Sequence, residues 1–127
     1  MSLSIYKSSA GSGKTFTLAK EYIKLLLQNP LQHPNILAVT FTNKATQEMK
    51  ERIIKFLISL AHATDDGLLQ LFADETKYSH AHIKGNAKKA LQTILHNYGD
   101  FSIVTIDSFF NSVIKAFAHE LKLPLKM

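Results

Sequence analysis

Ser8-Ser9-Ala10-Gly11-Ser12-Gly13-Lys14-Thr15 is the stretch whose residue types and spacing could do chemistry. It follows the phosphate-loop pattern G-x-x-x-x-G-K-[ST], with Ser8 standing at the first glycine position. Glycines let the backbone curl so that successive N–H groups point inward at an anion. A helix opening at Gly13 would aim its unpaired N–H groups and positive dipole end at the same phosphates. In that arrangement Lys14 places a point charge on the β- and γ-phosphates, and the Thr15 hydroxyl ligates Mg²⁺. Ser8 departs from the pattern at a position that shapes the turn more than it touches phosphate. The octapeptide points to a nucleoside triphosphate.

Such a loop works only between a strand and a helix, and the flanking residues suit both. Leu3 to Tyr6 suit a short strand. From Lys14 to Gln28, Leu18, Ala19, Tyr22, Ile23 and Leu26 form one helical stripe, which Asn29-Pro30 stops. Asn35 to Phe41 is a compact apolar run, as expected of a strand buried on both faces. Helical spacing returns from Asn43 at Ala45, Met49, Ile53, Phe56, Leu57 and Leu60. Ala63 to Gly67 break the pattern, with one helical turn expected over Leu68 to Phe72. A further helix is expected from His80 to Tyr98, carrying Ile83, Ala87, Leu91, Ile94 and Leu95 on one side and Gly99 as its C-terminal cap. Phe101 to Ile106 again suits a strand, and Asp107 to Leu121 a last helix that aligns Phe110, Val113, Ile114, Phe117 and Leu121 before Pro124 ends it.

Strands alternating with helices imply right-handed βαβ units, hence an α/β fold with a parallel sheet flanked by helices. Ligands in such folds bind at the carboxyl ends of the strands. Three segments, 7–15, 40–44 and 105–108, thereby become candidate site loops, all rich in Thr, Ser, Asn and Lys. Phe41 would end a buried strand at that edge, offering any base a surface to stack on. Thr42, Asn43 and the following helix N-terminus could hold backbone phosphates, with Lys44 adding charge. On the residues alone, an equal alternative makes Phe41 a core side chain and Asn43 a helix cap.

Composition narrows the classes. The 127 residues make one domain or part of one, with 46% hydrophobic and 20% charged residues as in an ordinary globular protein. The absence of cysteine excludes disulfides, thiolate metal sites and cysteine nucleophiles. No apolar run approaches the ~18 residues that span a membrane and no signal-peptide pattern opens the chain, so the expected compartment is the cytoplasm. The net charge of +5 suits a polyanionic partner, although scattered lysines more often form a solvated face. Arg52 is the sole arginine, so a charge-stabilising arginine of the kind many phosphate-loop motors use is expected from outside these residues. His80 and His82 sit at i, i+2 spacing without cysteine or carboxylate partners and are read as solvated surface side chains. Asp65-Asp66 and Asp74-Glu75 are read as loop and surface charge.

Taken in order, SSAGSGKTFTLA, ILAVTFTNKATQEMKERI and FSIVTIDSFF resemble the N-terminal motor domain of superfamily 1 helicases of the UvrD/Rep group, most closely RecB and AddA helicase–nuclease subunits. The resemblance covers nearly the whole chain and is least distinctive from about residue 62 to 99. It implies a P-loop NTPase (RecA-like) fold, with 1–127 the incomplete N-terminal part of the motor domain, and ATP with Mg²⁺ as ligands. TFTNKAT is similar to the family segment TFTNKAA that grips single-stranded DNA, which assigns Thr40, Phe41, Thr42, Asn43 and Lys44 to DNA. TIDSFF is similar to a TIHSFC-type segment facing the same track, which adds Thr105, Ser108 and Phe109. The implied whole protein translocates on single-stranded DNA or acts at DNA ends, with no membrane role and with a helicase–nuclease partner subunit. The family's Asp-Glu box lies past residue 127, so this segment is expected to bind nucleotide without appreciable turnover. Lacking the strands that complete the sheet, it is also expected to expose apolar surface and self-associate.

Asp107 stands where the family pattern carries histidine. A carboxylate beside a phosphate track is unfavourable, so Asp107 or Ser108 is expected to cap the next helix. A rival reading makes Ile103 to Asp107 an apolar strand ending in a Mg²⁺-organising aspartate, which would give a self-contained small P-loop ATPase or phosphotransferase. A third makes the chain a non-catalytic nucleic-acid-binding module.

Overall fold

The computed structural model describes residues 2–3 and 12–121, with side chains from Phe16 onward. Three parallel strands, β1 (Ser2–Leu3), β2 (Ile36–Thr40) and β3 (Ile103–Thr105), lie in the order β1-β2-β3. Five α-helices accompany them among the described residues: α1 (Ser12–Gln28), α2 (Asn43–His62), α3 (Asp66–Thr76), α4 (His80–His96) and α5 (Ile106–Glu120). The result is a helix-rich α/β chain around a small parallel sheet.

The sheet is registered through β2. Ser2 and Leu3 stand opposite Ile36 and Leu37, and Ala38, Val39 and Thr40 stand opposite Ile103, Val104 and Thr105. Ile36, Ala38, Val39 and Thr40 are buried, as expected of a central strand whose two faces are both covered. Of the segment expected as the first strand, Leu3 lies in β1, while residues 4–6 lie outside the described residues.

α1 buries the stripe Leu18, Ala19, Tyr22, Ile23, Leu26 and Leu27. It ends where Pro30 has no N–H to offer, and the Asn29 side chain accepts from the Leu31 N–H at 3.1 Å to turn the chain. α2 buries Ala45, Met49, Ile53, Leu57 and Leu60 at helical spacing, and ends on Ala63 in the left-handed region at φ 52. These helices and α4 pack on one another and on β2 and β3 in one apolar cluster.

α3 is longer than the single turn expected from 68 to 72. The Asp65 carboxylate accepts from the Leu68 N–H at 3.0 Å, and Leu69 and Phe72 are buried. Fully burying one such side chain contributes about 1.5–3 kcal/mol, which anchors a helix whose last turn is polar. That turn holds Glu75, expected as mere surface charge. It is exposed, and from the surface it pairs with Lys20 at 3.0 Å and Lys24 at 3.4 Å, tying α3 to α1. The hydrogen bond from Lys20 holds the Glu75 carboxyl below its ordinary range, against a smaller opposing effect of burial. At Lys24, burial pulls the ammonium down, but Glu21 and Glu75 together outweigh it and raise it.

α4 corrects two expectations. Ile83, Ala87, Ala90 and Ile94 form its buried face, while Leu95, expected to join them, is 58% exposed. One residue beyond Ile94 lies about 100° further around the helix, past the packed stripe. Gly99 is not the cap: the helix closes at Asn97, whose N–H donates to Thr93, and Gly99 sits within a 3-10 turn over Tyr98–Asp100. Phe101, expected to open the last strand, precedes it as a buried anchor edge-on to Tyr22 and Tyr98, with the Lys50 ammonium 5.4 Å from the centre of the Tyr98 ring. His33 is fully buried, and its Nε2–H donates to the Asn97 carbonyl at 3.2 Å, joining the α1–β2 connection to the end of α4.

The end of α1 is also closed by α4. Asn86 Nδ2 donates to the Leu27 carbonyl at 2.7 Å, and His82 Nε2 donates to the same oxygen at 3.0 Å. His82 is exposed, as expected, and in addition serves as a cap, lying against the Tyr78 ring at 4.3 Å. Helix-end carbonyls without an intrahelical partner need such donors.

Replacing Asn86 by Ala removes one of these donors and should lower stability by about 1 kcal/mol in urea unfolding; an unchanged midpoint would show that His82 alone suffices. Because the Glu75 carboxyl is depressed on folding, its contribution is present above its unfolded pKa and lost as pH falls through the folded value. Glu75→Gln should therefore cost no more than about 1 kcal/mol at neutral pH, less in high salt, and nothing at the acid end of a pH series.

Candidate functional site

Parallel pairing puts the carboxyl ends of β2 and β3 side by side, with Thr40 and Thr105 as register partners. The chain leaves both strands at the same edge and enters a helix at once, α2 after β2 and α5 after β3. Two helix N-termini with partial positive charge therefore face one edge of the sheet.

Thr40 is 1% exposed, and its hydroxyl lies 2.5 Å from that of Thr46 and 3.3 Å from the carbonyls of Thr42 and Val104. Thr46 in turn donates to the Thr42 carbonyl at 3.1 Å. Thr40 is thus turned into the protein, where it fixes the loop that follows rather than facing a ligand with its side chain. Thr42 caps α2, its hydroxyl accepting from the Ala45 N–H at 3.0 Å. The cap considered for Asn43 belongs to Thr42, because Asn43 is already the first residue of the helix.

With that turn held, Phe41 projects at 51% exposure, and Thr42, Asn43 and Lys44 are exposed beside it. The alternative of Phe41 as a core side chain does not hold. An aromatic ring flanked by hydroxyl, amide and ammonium groups at a helix N-terminus can stack on a planar group and hold an anion next to it.

β3 and α5 repeat the arrangement. The Thr105 hydroxyl accepts from the Ser108 N–H at 3.2 Å and donates to the Ser108 hydroxyl at 3.0 Å. Thr105 is the cap of α5, which displaces the expectation of Asp107 or Ser108 in that role. Asp107 is exposed in the first helical turn, where a carboxylate is favoured by the helix dipole. The strand ends at Thr105, so Asp107 does not sit at a strand terminus, as the rival magnesium-aspartate reading requires. Phe109 is half-buried, and its neighbour Phe110 is 55% exposed at 6.3 Å between ring centres. The motif resemblance does not single out Phe110 for this edge, although a Phe109-Phe110 doublet near the start of a helix is a readable signal.

Of the phosphate-loop motif, Ser8, Ser9, Ala10 and Gly11 lie outside the described residues. Ser12, Gly13, Lys14 and Thr15 are described by their backbone, which forms the first turn of α1, one residue ahead of the expected start at Gly13. Among the described residues no helix is long and apolar enough to cross a membrane.

Relatives are found over most of the chain. The chain is 32% identical over 126 residues to the RecBCD enzyme subunit RecB of Buchnera aphidicola subsp. Acyrthosiphon pisum, covering 89% of this chain and 10% of that protein. It is 47% identical over 53 residues to an ATP-dependent helicase/nuclease subunit of Clostridium novyi, covering 40% of this chain and 4% of that one. Against a protein described as a probable DNA helicase II homologue in Mycoplasma pneumoniae it is 40% identical over 60 residues, covering 47% of this chain and 8% of the other. The chain thus spans a tenth or less of the length of these relatives. No solved structure matches it. The family model described as the UvrD/REP helicase N-terminal domain matches residues 4–126, and the chain belongs to that family.

Proposed function

We propose that this chain is the ATP-binding, DNA-contacting segment at the start of an ATP-dependent DNA helicase motor of P-loop NTPase fold. In this reading residues 1–127 are part of a larger motor domain, and the whole protein translocates on single-stranded DNA in the cytoplasm, with a helicase–nuclease partner subunit. The observation that carries it is the juxtaposition of two motif loops at one sheet edge, with Phe41 open to solvent between polar groups.

Ser8 to Thr15 would curl around the triphosphate, Lys14 neutralising the β- and γ-phosphates and Thr15 ligating Mg²⁺. When bound, Mg-ATP supplies the phosphoryl group whose hydrolysis drives movement. The family membership and the helix opening at Ser12 both support that role. At the neighbouring loops Phe41 would stack on a base, while Thr42, Asn43, Lys44 and Ser108 hold backbone phosphates. Thr40 and Thr105 would act by fixing the two turns, and Phe109 by extending the aromatic surface. The exposed Asp107 lets the carboxylate turn into solvent, away from phosphate.

Phe41→Ala should weaken single-stranded DNA binding by about 1–3 kcal/mol without sequence preference, measured by fluorescence anisotropy at fixed salt. An unchanged affinity would remove Phe41 from the track. Lys14→Ala should abolish Mg-ATP binding in calorimetry, while neither the parent chain nor the variant turns ATP over. DNA-stimulated hydrolysis by the 127-residue chain that Lys14→Ala eliminates would overturn the reading of this segment as incomplete.

A further inference from the structure

Only Phe41 and Thr42 connect the end of β2 at Thr40 to the start of α2 at Asn43. A side chain as exposed as Phe41 gets no direction from packing, so its direction depends on how firmly both ends of that connection are held. The sheet holds one end, through Thr40 and its register partner Thr105. The other end is held by Thr46, a half-buried residue near the start of α2.

Thr46 is bonded twice to the turn it follows. Its N–H donates to the Thr42 carbonyl at 3.0 Å, the ordinary helical bond, and its hydroxyl reaches the same oxygen at 3.1 Å. That hydroxyl also lies 2.5 Å from the hydroxyl of Thr40. Two hydroxyl oxygens so close share a hydrogen, so a bond crosses from helix to strand and closes a ring around Phe41 and Thr42. On helix grounds threonine is a poor choice here. It is a weaker helix former than alanine, and a hydroxyl bonded back to the fourth preceding carbonyl slightly destabilises a helix. The similar segment TFTNKAA has alanine at this position. What threonine adds is the cross-link to Thr40.

We infer that Thr46 is a positioning residue: its hydroxyl, through Thr40, clamps the turn that presents Phe41 and so lowers the ordering cost of stacking a base on that ring. The consequence for binding rests on the reading of Phe41 as a DNA contact; the clamp rests on the hydrogen bonds alone.

The chain has no tryptophan, so Phe41→Trp supplies a single fluorophore at the turn. Time-resolved anisotropy of that indole reads its local freedom with no ligand present. Adding Thr46→Val, which keeps the branched shape and removes the hydroxyl, should enlarge the fast depolarisation; adding Thr46→Ser should not. With Phe41 intact, Thr46→Val should weaken single-stranded DNA binding about threefold to tenfold, and Thr46→Ser should bind as the parent does. Thr40 keeps the Thr42 and Val104 carbonyls as acceptors, so Thr46→Val strands no buried hydroxyl and its urea midpoint should stay near that of the parent. Thr46→Ala, the better helix former, should show the same loss of order and binding. An indole equally ordered with and without the Thr46 hydroxyl overturns the proposal, whatever the DNA result. So does parental DNA affinity in Thr46→Val when Phe41→Ala has lost it, or a loss of binding in Thr46→Val and Thr46→Ala that only follows a lowered urea midpoint. If Phe41→Ala itself binds DNA unchanged, the DNA reading fails instead, and the order of the indole decides the clamp.

Discussion

The parallel pairing of β2 with β3 is the constraint from which the candidate site follows. Parallel strands cannot be joined by a tight turn, so the chain must travel from the end of β2 back to the start of β3. It does so through α2, α3 and α4, which bury their stripes against α1 and the sheet on the way. The same pairing then delivers the ends of β2 and β3 together, with Thr40 beside Thr105. The DNA contacts proposed for Phe41 and its neighbours depend on those two ends sharing an edge.

At that edge threonine does most of the positioning. Thr42 and Thr105 each cap a helix, and Thr40 and Thr46 meet behind the first turn. These hydroxyls satisfy backbone groups that would otherwise stand unpaired, so the turns are short and held. A held turn is what allows Phe41 to stay open instead of collapsing into the adjacent cluster. The division between threonines that position and neighbours that face outward separates two kinds of residue which a motif writes as one string.

The helical layer shows how secondary contacts settle elements of weak signal. α3 has only two buried side chains, and α1 and α4 supply the rest of its support through the Glu75 ion pairs and the packing of Phe72. The connection after α1 is likewise held from α4, by Asn86, His82 and the carbonyl that receives His33. The segment from 62 to 99, least distinctive as sequence, is the one that clamps the rest.

Local chemistry alone was enough for the long elements. The stripes of α1 and α2, the apolar run of β2 and the stop at Asn29-Pro30 were legible because helical and strand periods are properties of consecutive residues. The family was legible for a related reason: its motifs place particular residue types at fixed spacing along the chain. Only the tertiary structure decided the rest. That Thr40 turns inward, that Leu95 lies outside the packed stripe, that Glu75 meets lysines of α1 and that the apolar side of α5 stands open all depend on which distant surface lies opposite. Periodicity states that a face is apolar; only the arrangement of elements in space determines whether another element covers it.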